Sequence, residues 1–231
     1  MSDPSARTGA PERAAADSAA DSAADGGPAG AARAPRPGLR ERKKAATMHR
    51  VQAVALDLFE RHGFDAVSIE QVADAAEVSP STVYRYFGTK EGLIVHDEYD
   101  DRVLALLTYY LQQDGDLAQA LTRVLDDLWA DHFVKDAGPS WVRTRWCFEH
   151  PSIQGAMWVL VNEQAEAAAR AVADSGRMAL PRARILASAT VWGIVAVLRT
   201  WYEQGGAGDV RADLSQVIDM LARMEQAFPG S

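Results

Sequence analysis

The 231-residue sequence predicts an all-α protein, with an N-terminal three-helix domain and a larger C-terminal helical domain. Apolar residues recur at the three- and four-residue spacing of one helix face, as Met48, Val51 and Ala55 illustrate. Serine or proline precedes several of these segments and glycine often follows them, which are the usual start and stop signals of helices. Strand-like alternation of any length is missing from the sequence.

Residues 1–38 predict a disordered tail. They hold 13 alanines, 5 glycines and 5 prolines, and no leucine, isoleucine, valine or aromatic residue. Such a segment buries too little apolar surface to offset the entropy of ordering it.

Two short helices joined by a tight turn are predicted between residues 68 and 87. Ser68 is an N-cap, and Gln71 three residues later completes a capping box. Ser79 is the next N-cap, with Pro80 at the first helical position. Short helices so close in sequence cross at a large angle, which is the geometry of a helix-turn-helix; an ordinary αα-hairpin is the alternative. With a longer helix before them, from about residue 40 to 62, they make a predicted DNA-binding domain over 39–88.

The second of these helices suits contact with a nucleic acid. Val83 and Phe87 are four residues apart and face inward. This leaves a row of polar and aromatic side chains outward: Ser81, Thr82, Tyr84, Arg85 and Tyr86. Hydroxyls, a guanidinium fork and phenols are groups that contact phosphate oxygens and base edges in the DNA major groove.

The charge distribution supports this interpretation, although a net charge of −8 by itself argues against a nucleic-acid partner. Residues 33–50 hold seven basic side chains and one acid, whereas residues 51–231 hold 15 basic and 26 acidic ones. A local basic segment on an acidic body is what phosphate binding requires; a solvated helix start is the alternative. Arg33 and Arg36 of the tail could reach the minor groove, but a tail without specific contacts is favoured.

Over residues 45–95 the sequence resembles the tetracycline-repressor (TetR) family of transcriptional regulators. The matching residues are Gly63-Phe64, Ser68, Val72-Ala73, Ala76, Val78-Ser79, Val83-Tyr84, Tyr86-Phe87, Lys90 and Leu93. Glu77 departs from the family, which usually has glycine in this turn. A non-glycine residue with positive φ is strained, so the turn and the angle of the second helix could be reshaped.

The resemblance implies a homodimer that binds a palindromic operator in double-stranded DNA, with a small-molecule effector and no cofactor. It places Tyr84 and its neighbour on the DNA and Lys90 at a phosphate. Together with the basic segment and the helix caps, the predicted DNA-binding residues are Arg40, Lys43, Lys44, Ser68, Ser79, Pro80, Ser81, Thr82, Tyr84, Arg85, Tyr86, Thr89 and Lys90.

Residues 89–231 are predicted to form a helical ligand-binding and dimerisation domain. One long helix runs from about residue 89 to 113 and carries an acidic, water-facing stretch at 96–101. Asp114-Gly115-Asp116 breaks it. Further helices cover about 117–133, 140–149, 151–174, 181–202 and 209–224, with Ser140, Pro151, Pro181 and Asp209 as start signals.

The last two long helices of this domain are apolar on more than one face. Residues 187–198 carry no charge, and one apolar face is enough for a helix's own core. Ala189, Gly193 and Ala196 would allow close approach of another helix. The resemblance implies that these two helices pair with their twins in a four-helix bundle; one large monomeric core is the alternative.

Aromatic side chains crowd the middle of the chain. For each one, core packing is the simpler interpretation, but the resemblance implies a ligand cavity, and cavities between helices are usual ligand sites. Arg145 could orient an anionic ligand, whereas Arg143 is expected to be a surface charge. The predicted pocket residues are Tyr109, Trp129, Phe133, Trp146, Phe148, His150, Trp158 and Trp192.

Other classes of protein receive little support. The single cysteine, Cys147, cannot form a disulfide within the chain, which fits a reducing cytoplasm. The sequence has no signal-peptide pattern that would predict export. It also has no run of eighteen apolar residues that would predict a membrane span. Cys147 and His150 are close enough to touch on a helix, but nothing indicates an oriented base or an oxyanion hole. Asp131-His132 and Glu149-His150 lack the usual metal-site spacings.

These observations predict a cytoplasmic, homodimeric transcriptional repressor that a small molecule releases from its operator. A DNA-binding dimer without a small-molecule effector, regulated by a protein partner or by abundance, is the second hypothesis. A helical-bundle enzyme is the third, and it is disfavoured because the sequence offers no catalytic constellation.

Overall fold

The computed structural model describes residues 38–96, 99–113, 116–129 and 137–227. Within these ranges the chain forms ten helices and no strands, which confirms the predicted all-α fold. Apart from Gly38, the predicted tail lies outside the described residues. The helices are α1 (Leu39–His62), α2 (Ile69–Ala75), α3 (Pro80–Phe87), α4 (Gly92–Val95), α5 (Asp100–Gln113), α6 (Leu117–Trp129), α7 (Ala137–Glu149), α8 (Pro151–Asp174), α9 (Leu180–Glu203) and α10 (Val210–Ala227).

The prediction of a single long helix from residue 89 to 113 is wrong. Two helices, α4 and α5, replace it, because the backbone becomes extended at His96, with φ −75° and ψ 149°. The His96 carbonyl accepts hydrogen bonds from Gln52 Nε2 of α1 (2.5 Å) and from an Arg143 guanidinium nitrogen of α7 (3.1 Å). Donors from two distant helices thus satisfy a carbonyl at a helix end, and the local sequence contains no sign of them.

The start of α7 also differs from the prediction. This helix begins at Ala137 instead of near Ser140. Pro139 is compatible with the earlier start, because proline is tolerated in the first turn of a helix, where its missing N–H would have no partner.

One hydrophobic core joins α1, α2 and α3 and extends beyond them. Phe59, Val83 and Phe87 are almost completely buried in it. Ile94 of α4 and Ile153 of α8 belong to the same core. The apolar core therefore continues past residue 88, so helices α1–α3 are packed directly onto the C-terminal helices.

A second core lies between α5, α6, α8, α9 and α10, and includes Leu107, Val124, Ala169, Leu186 and Leu221. Gly193 marks the close approach of α9 and α10. A Cβ atom on Gly193 would lie only 2.8 Å from Val217 Cγ1. Gly193 therefore serves packing inside the chain, and not the approach of a second copy that its sequence context suggested.

Apolar surface remains exposed on the last helices. By length and composition alone, α9 could cross a membrane, and 22% of its most apolar window is buried inside the chain. Core helices of soluble proteins pass the same test, so this is weak evidence for a span. The larger exposed side chains are Ile185, Trp192 and Ile194 on α9, and Trp158 and Val159 on α8.

Candidate nucleic-acid interface

The α2–α3 pair has the predicted end caps. The Gln71 N–H donates to Ser68 Oγ (3.2 Å), and the Ser68 N–H donates to Gln71 Oε1 (2.8 Å), which closes the capping box of α2. At the start of α3, the Thr82 N–H donates to Ser79 Oγ (3.3 Å), with Pro80 as the first helical residue. An N-cap of this kind stabilises a helix by about 1 kcal/mol, so local sequence sets where both helices begin.

Glu77 adopts a positive φ at the turn position where the TetR family usually has glycine. Its φ is 53°, and among the described residues no other non-glycine residue has a positive φ. The turn is still hydrogen bonded, since the Glu77 N–H donates to Asp74 O (3.0 Å) and the Val78 N–H donates to Ala73 O (2.9 Å). A glutamate therefore makes the turn without loss of these backbone bonds.

Helix α3 separates an inward from an outward face as predicted. Val83 and Phe87 are buried, whereas 49% of Tyr84 is exposed and Arg85 lies at the surface. The Arg85 guanidinium carbon lies 4.8 Å from the centre of the Tyr86 ring. This cation–π contact holds the arginine on the exposed side of the helix.

Hydroxyl groups cluster at the N-terminus of α3. Ser79 Oγ lies 2.9 Å from both Ser81 Oγ and Thr82 Oγ1. A helix N-terminus carries partial positive charge and N–H donors without helical partners, which favours a phosphate group. This is the end of α3 that a helix-turn-helix brings to the DNA.

Glu70 adds an acidic group beside this face. Tyr84 Oη donates to Glu70 Oε1 at 3.5 Å. Hydrogen bonds from its own backbone N–H, from Ser68 and from Tyr84 lower the pKa of Glu70, with the backbone bond contributing most. Glu70 is therefore ionised at neutral pH and orients Tyr84. Sequence reasoning missed it, because nothing local links residues fourteen positions apart.

Thr89 and Gly92 seat α4 on the end of α3. The Gly92 N–H donates to Thr89 Oγ1 (3.1 Å), so the hydroxyl predicted to contact DNA has a partner inside the protein. A Cβ atom on Gly92 would lie 1.8 Å from the Phe87 carbonyl oxygen. Only glycine permits this approach of the two helices.

Lys90 is also engaged within the protein. Its Nζ donates to the Phe64 carbonyl (2.9 Å) and lies 4.3 Å from the centre of the Phe64 ring. The lysine thus ties the start of α4 to the turn between α1 and α2. An ammonium group has three donors, so this bond leaves two for a phosphate, but the observed contact is structural.

The basic segment on α1 is partly accessible. Arg40, Lys43 and Arg50 are exposed. Lys44 Nζ instead pairs with Asp101 Oδ2 of α5 at 2.5 Å. An exposed pair of this kind contributes little to stability, but it draws Lys44 toward α5. Arg40 and Lys43 are therefore the predicted phosphate contacts that the structure leaves most accessible.

Two of the predicted pocket residues instead contact α1 or the turn that follows it. The ring centres of Trp146 and His150 lie 6.2 Å and 4.8 Å from that of Phe64. Trp146 Nε1 donates to Glu60 Oε1 (2.8 Å), and Arg145 forms an ion pair with the same carboxylate. This cluster connects α7 to α1, and Arg145 has an internal partner instead of an anionic ligand.

The other predicted pocket residues within the described ranges have different surroundings. Tyr109 contacts Tyr110 of the second core, and the Arg211 guanidinium lies over the Trp129 ring. Trp158 and Trp192 are 49% and 39% exposed. Phe133 lies outside the described residues.

Two cavities lie among the C-terminal helices. The smaller one, of about 150 Å³, is lined by Phe148, a predicted pocket residue, and by Arg143 and Cys147, with further residues from α4, α8 and α9. Arg143 is not the surface charge expected from the sequence, because its Nε donates to the Ile94 carbonyl (2.9 Å). The larger cavity, of about 270 Å³, lies between α5, α6, α8, α9 and α10.

The chemistry of Cys147 is unlike that of a nucleophile. Burial raises the pKa of its thiol to about 11, against a smaller lowering by the Arg143 charge. Thiolate is therefore scarce at neutral pH, the opposite of what nucleophilic catalysis needs. His150 Nδ1 lies 3.2 Å from Ser152 Oγ, and its Nε2 lies 3.8 Å from Asp65 Oδ1.

Metal-ligand geometry is limited as well. No group of three or more histidine, cysteine, aspartate or glutamate residues in the described part of the chain could hold a metal ion. Asp131 and His132 lie outside that part.

The caps, the turn and the two faces of α3 define a helix-turn-helix DNA-binding domain. The family of bacterial regulatory proteins named tetR matches residues 52–96. The HTH-type transcriptional regulator TcmR of Streptomyces glaucescens is 44% identical over 55 residues, which are 24% of each chain. The HTH-type transcriptional repressor BdcR of Escherichia coli K12 is 36% identical over 72 residues, 30% of this chain and 36% of that one. Over this domain the chain is similar to the tetR family, and it spans only 24% and 36% of these relatives' lengths.

Solved structures resemble the chain over most of its length. The fatty acid degradation regulator FadR from Bacillus halodurans superposes with a TM-score of 0.50 at 16% identity, over 81% of this chain and 97% of that one. A candidate tetR-family transcriptional regulator from Mesorhizobium loti also has a TM-score of 0.50, at 18% identity, over 82% and 99%. At these identities the similarity shows the fold.

Proposed function

We propose that this protein is a cytoplasmic transcriptional repressor that binds a palindromic operator as a homodimer and is released from it by a small molecule. The exposed face of α3 carries the proposal. Tyr84 and Arg85 lie beside a cluster of hydroxyls at a helix N-terminus, on a helix anchored by buried Val83 and Phe87. Such a face can contact base edges and phosphates at the same time.

Exposed apolar surface on the last two helices supports a dimer. Ile185, Trp192 and Met220 expose 63%, 39% and 55% of their surface. Ile185, Trp192 and exposed Ala196 are seven and four residues apart, so they form one stripe along α9. A second copy would bury this stripe, and the dimer would place two α3 helices for half-sites about 34–36 Å apart.

Ala196→Arg should therefore prevent dimerisation, because it would place a charge in the middle of an apolar interface. Sedimentation should report monomers, and circular dichroism should report unchanged helix content. Gly193 is unsuitable for this test, since it packs against Val217 within the chain. A folded variant that remains dimeric would place the interface on another surface.

Helix α7 gives a physical route from the cavities to the DNA-binding helices. Arg143 lines the smaller cavity and donates to carbonyls of α4 and its end, Ile94 (2.9 Å) and His96 (3.1 Å). Arg145 and Trp146 bind Glu60 of α1. A ligand that displaces α7 would also displace α1 and α4. Helix α4 is seated against the Phe87 carbonyl at the end of α3, and α1 shares a hydrophobic core with α3. This arrangement supports release of DNA by a bound small molecule.

Arg85→Ala tests the assignment of α3. The operator is first selected from random-sequence duplexes, and binding is then measured to it and to a scrambled duplex at one salt concentration. If Arg85 contacts a guanine, operator affinity should fall about tenfold or more, while binding to the scrambled duplex stays nearly unchanged. Arg170→Ala is the matched control, since Arg170 is an exposed arginine of α8 paired with Glu166.

Two results would contradict this assignment at different levels. An equal loss on both duplexes would make Arg85 a phosphate contact, because phosphates are the same in every sequence. Wild-type binding by Arg85→Ala and by a Tyr84→Ala variant would show that α3 does not bind the operator.

A further inference from the structure

The larger C-terminal cavity has a lining that restricts the chemistry of its ligand. Its volume of about 270 Å³ is near the lower end for small-molecule sites. Most of the surface is aliphatic, with Leu104, Leu107, Leu121, Val124, Leu125 and Leu128 supplied by α5 and α6. A hydrocarbon group fits this lining, because transfer of apolar surface out of water is favourable.

The cavity lining contains few polar groups, and its charge comes from one carboxylate. Asp100 and the Tyr99 phenol are the ionisable groups among the described lining residues. These lining residues include no lysine, arginine or histidine. Gln164 and Thr190 are neutral, and the Thr190 hydroxyl already donates to the Leu186 carbonyl (2.8 Å). The charge that a ligand meets here is therefore negative.

Asp100 lies near the opening of the cavity. The lining residues Val103 and Ile194 expose 37% and 38% of their surface, which marks where the cavity meets solvent. Asp100 is one turn before Val103 on α5, and its side chain is 29% exposed. His96 Nδ1 lies 3.7 Å from Asp100 Oδ2. A ligand with its hydrocarbon part inside would thus place its head group beside this carboxylate.

We propose that this cavity binds a small amphiphile with a positively charged head group, the hydrocarbon part between the helices and the cation at Asp100. This inference rests on the proposed effector function and names the chemical class of the effector. An anionic head group would face a carboxylate at a partly desolvated site, where the repulsion is stronger than in water. The lining offers no cation to offset that repulsion.

Three ligands that share a ten-carbon chain separate the head-group charge from the hydrocarbon contribution. Decyltrimethylammonium, decanol and decanoate are titrated into the full-length protein by calorimetry, below micelle-forming concentrations and at low ionic strength. The cation should bind tightest and decanoate weakest, with about a tenfold or greater difference between them.

Three variants localise the effect. Asp100→Asn should weaken binding of decyltrimethylammonium severalfold and leave decanol nearly unchanged. Asp101→Asn is the matched control: it removes the neighbouring carboxylate, which pairs with Lys44 and is not part of the lining. Ala168→Met, inside the cavity, should weaken all three ligands by filling space. Circular dichroism checks that each variant is folded.

The inference is overturned if decanoate binds as tightly as the cation, or if Asp100→Asn leaves the advantage of the cation intact. It is also overturned if none of the three ligands binds. Measuring whether each ligand releases the operator tests the proposed function separately from the ligand class. Binding by the cation without loss of the DNA complex would support the ligand class and contradict the effector role. DNA release by decanoate alone would support the effector role and overturn the ligand class.

Discussion

Replacement of Glu77 by glycine should stabilise the protein. Glu77 has a φ of 53°, and the left-handed conformation costs a non-glycine residue roughly 1–2 kcal/mol. Glycine removes this cost. Its greater conformational freedom in the unfolded chain lowers the free energy of unfolding by about 0.4–1 kcal/mol. The expected net gain in the free energy of unfolding is about 0.5–1 kcal/mol.

Two control variants separate backbone strain from the loss of a charge. Glu77→Gln removes the charge and keeps the strain, so it should leave the stability nearly unchanged. Gly63→Ala imposes strain at a second turn, because Gly63 has a φ of 84° and an added Cβ atom would have no atom within 4 Å. It should destabilise the protein by about 1–3 kcal/mol through the backbone alone, because Gly63 combines this φ with a ψ of 149°.

Urea unfolding followed by circular dichroism measures these differences. In a domain of this size, 1 kcal/mol changes the Tm by about 2–4 °C, so thermal melting gives a second measurement. The backbone bonds of the turn, from the Glu77 and Val78 N–H groups, are available to glycine as well. Destabilisation by Glu77→Gly, or an equal gain in Glu77→Gln, would show that φ strain is not the source of the effect.

Two further substitutions test the contacts that hold α4 against the DNA-binding helices. Gly92→Ala should destabilise the protein by about 3 kcal/mol or more, because its Cβ atom would overlap the Phe87 carbonyl oxygen at 1.8 Å. If the variant unfolds at the same urea concentration as the wild-type protein, the overlap does not occur. Lys90→Ala should lower stability by about 1 kcal/mol without DNA present, since it removes the bond to the Phe64 carbonyl. Unchanged stability with weaker binding to all DNA sequences would make Lys90 purely a phosphate contact.

The local geometry of the helix-turn-helix can be predicted from neighbouring residues in the sequence. Ser68 and Ser79 cap α2 and α3, and each cap bonds a backbone N–H three residues away. Val83 and Phe87 face inward because a helix brings residues four apart onto one side. Interactions within three or four residues decide all of these features, so the order of the residues is enough to predict them.

Packing between distant helices determines where α4 ends, what Lys90 and Arg145 bind, and where the cavities lie. The carbonyl of His96 is satisfied by Gln52, 44 residues earlier, and Arg145 binds Glu60, 85 residues earlier. Such contacts depend on which helix faces meet in three dimensions, and an apolar or charged residue has the same local pattern whichever partner it finds. The larger cavity likewise exists because five helices leave a gap beside Asp100, and its aliphatic lining follows the same three- and four-residue spacing as a filled core.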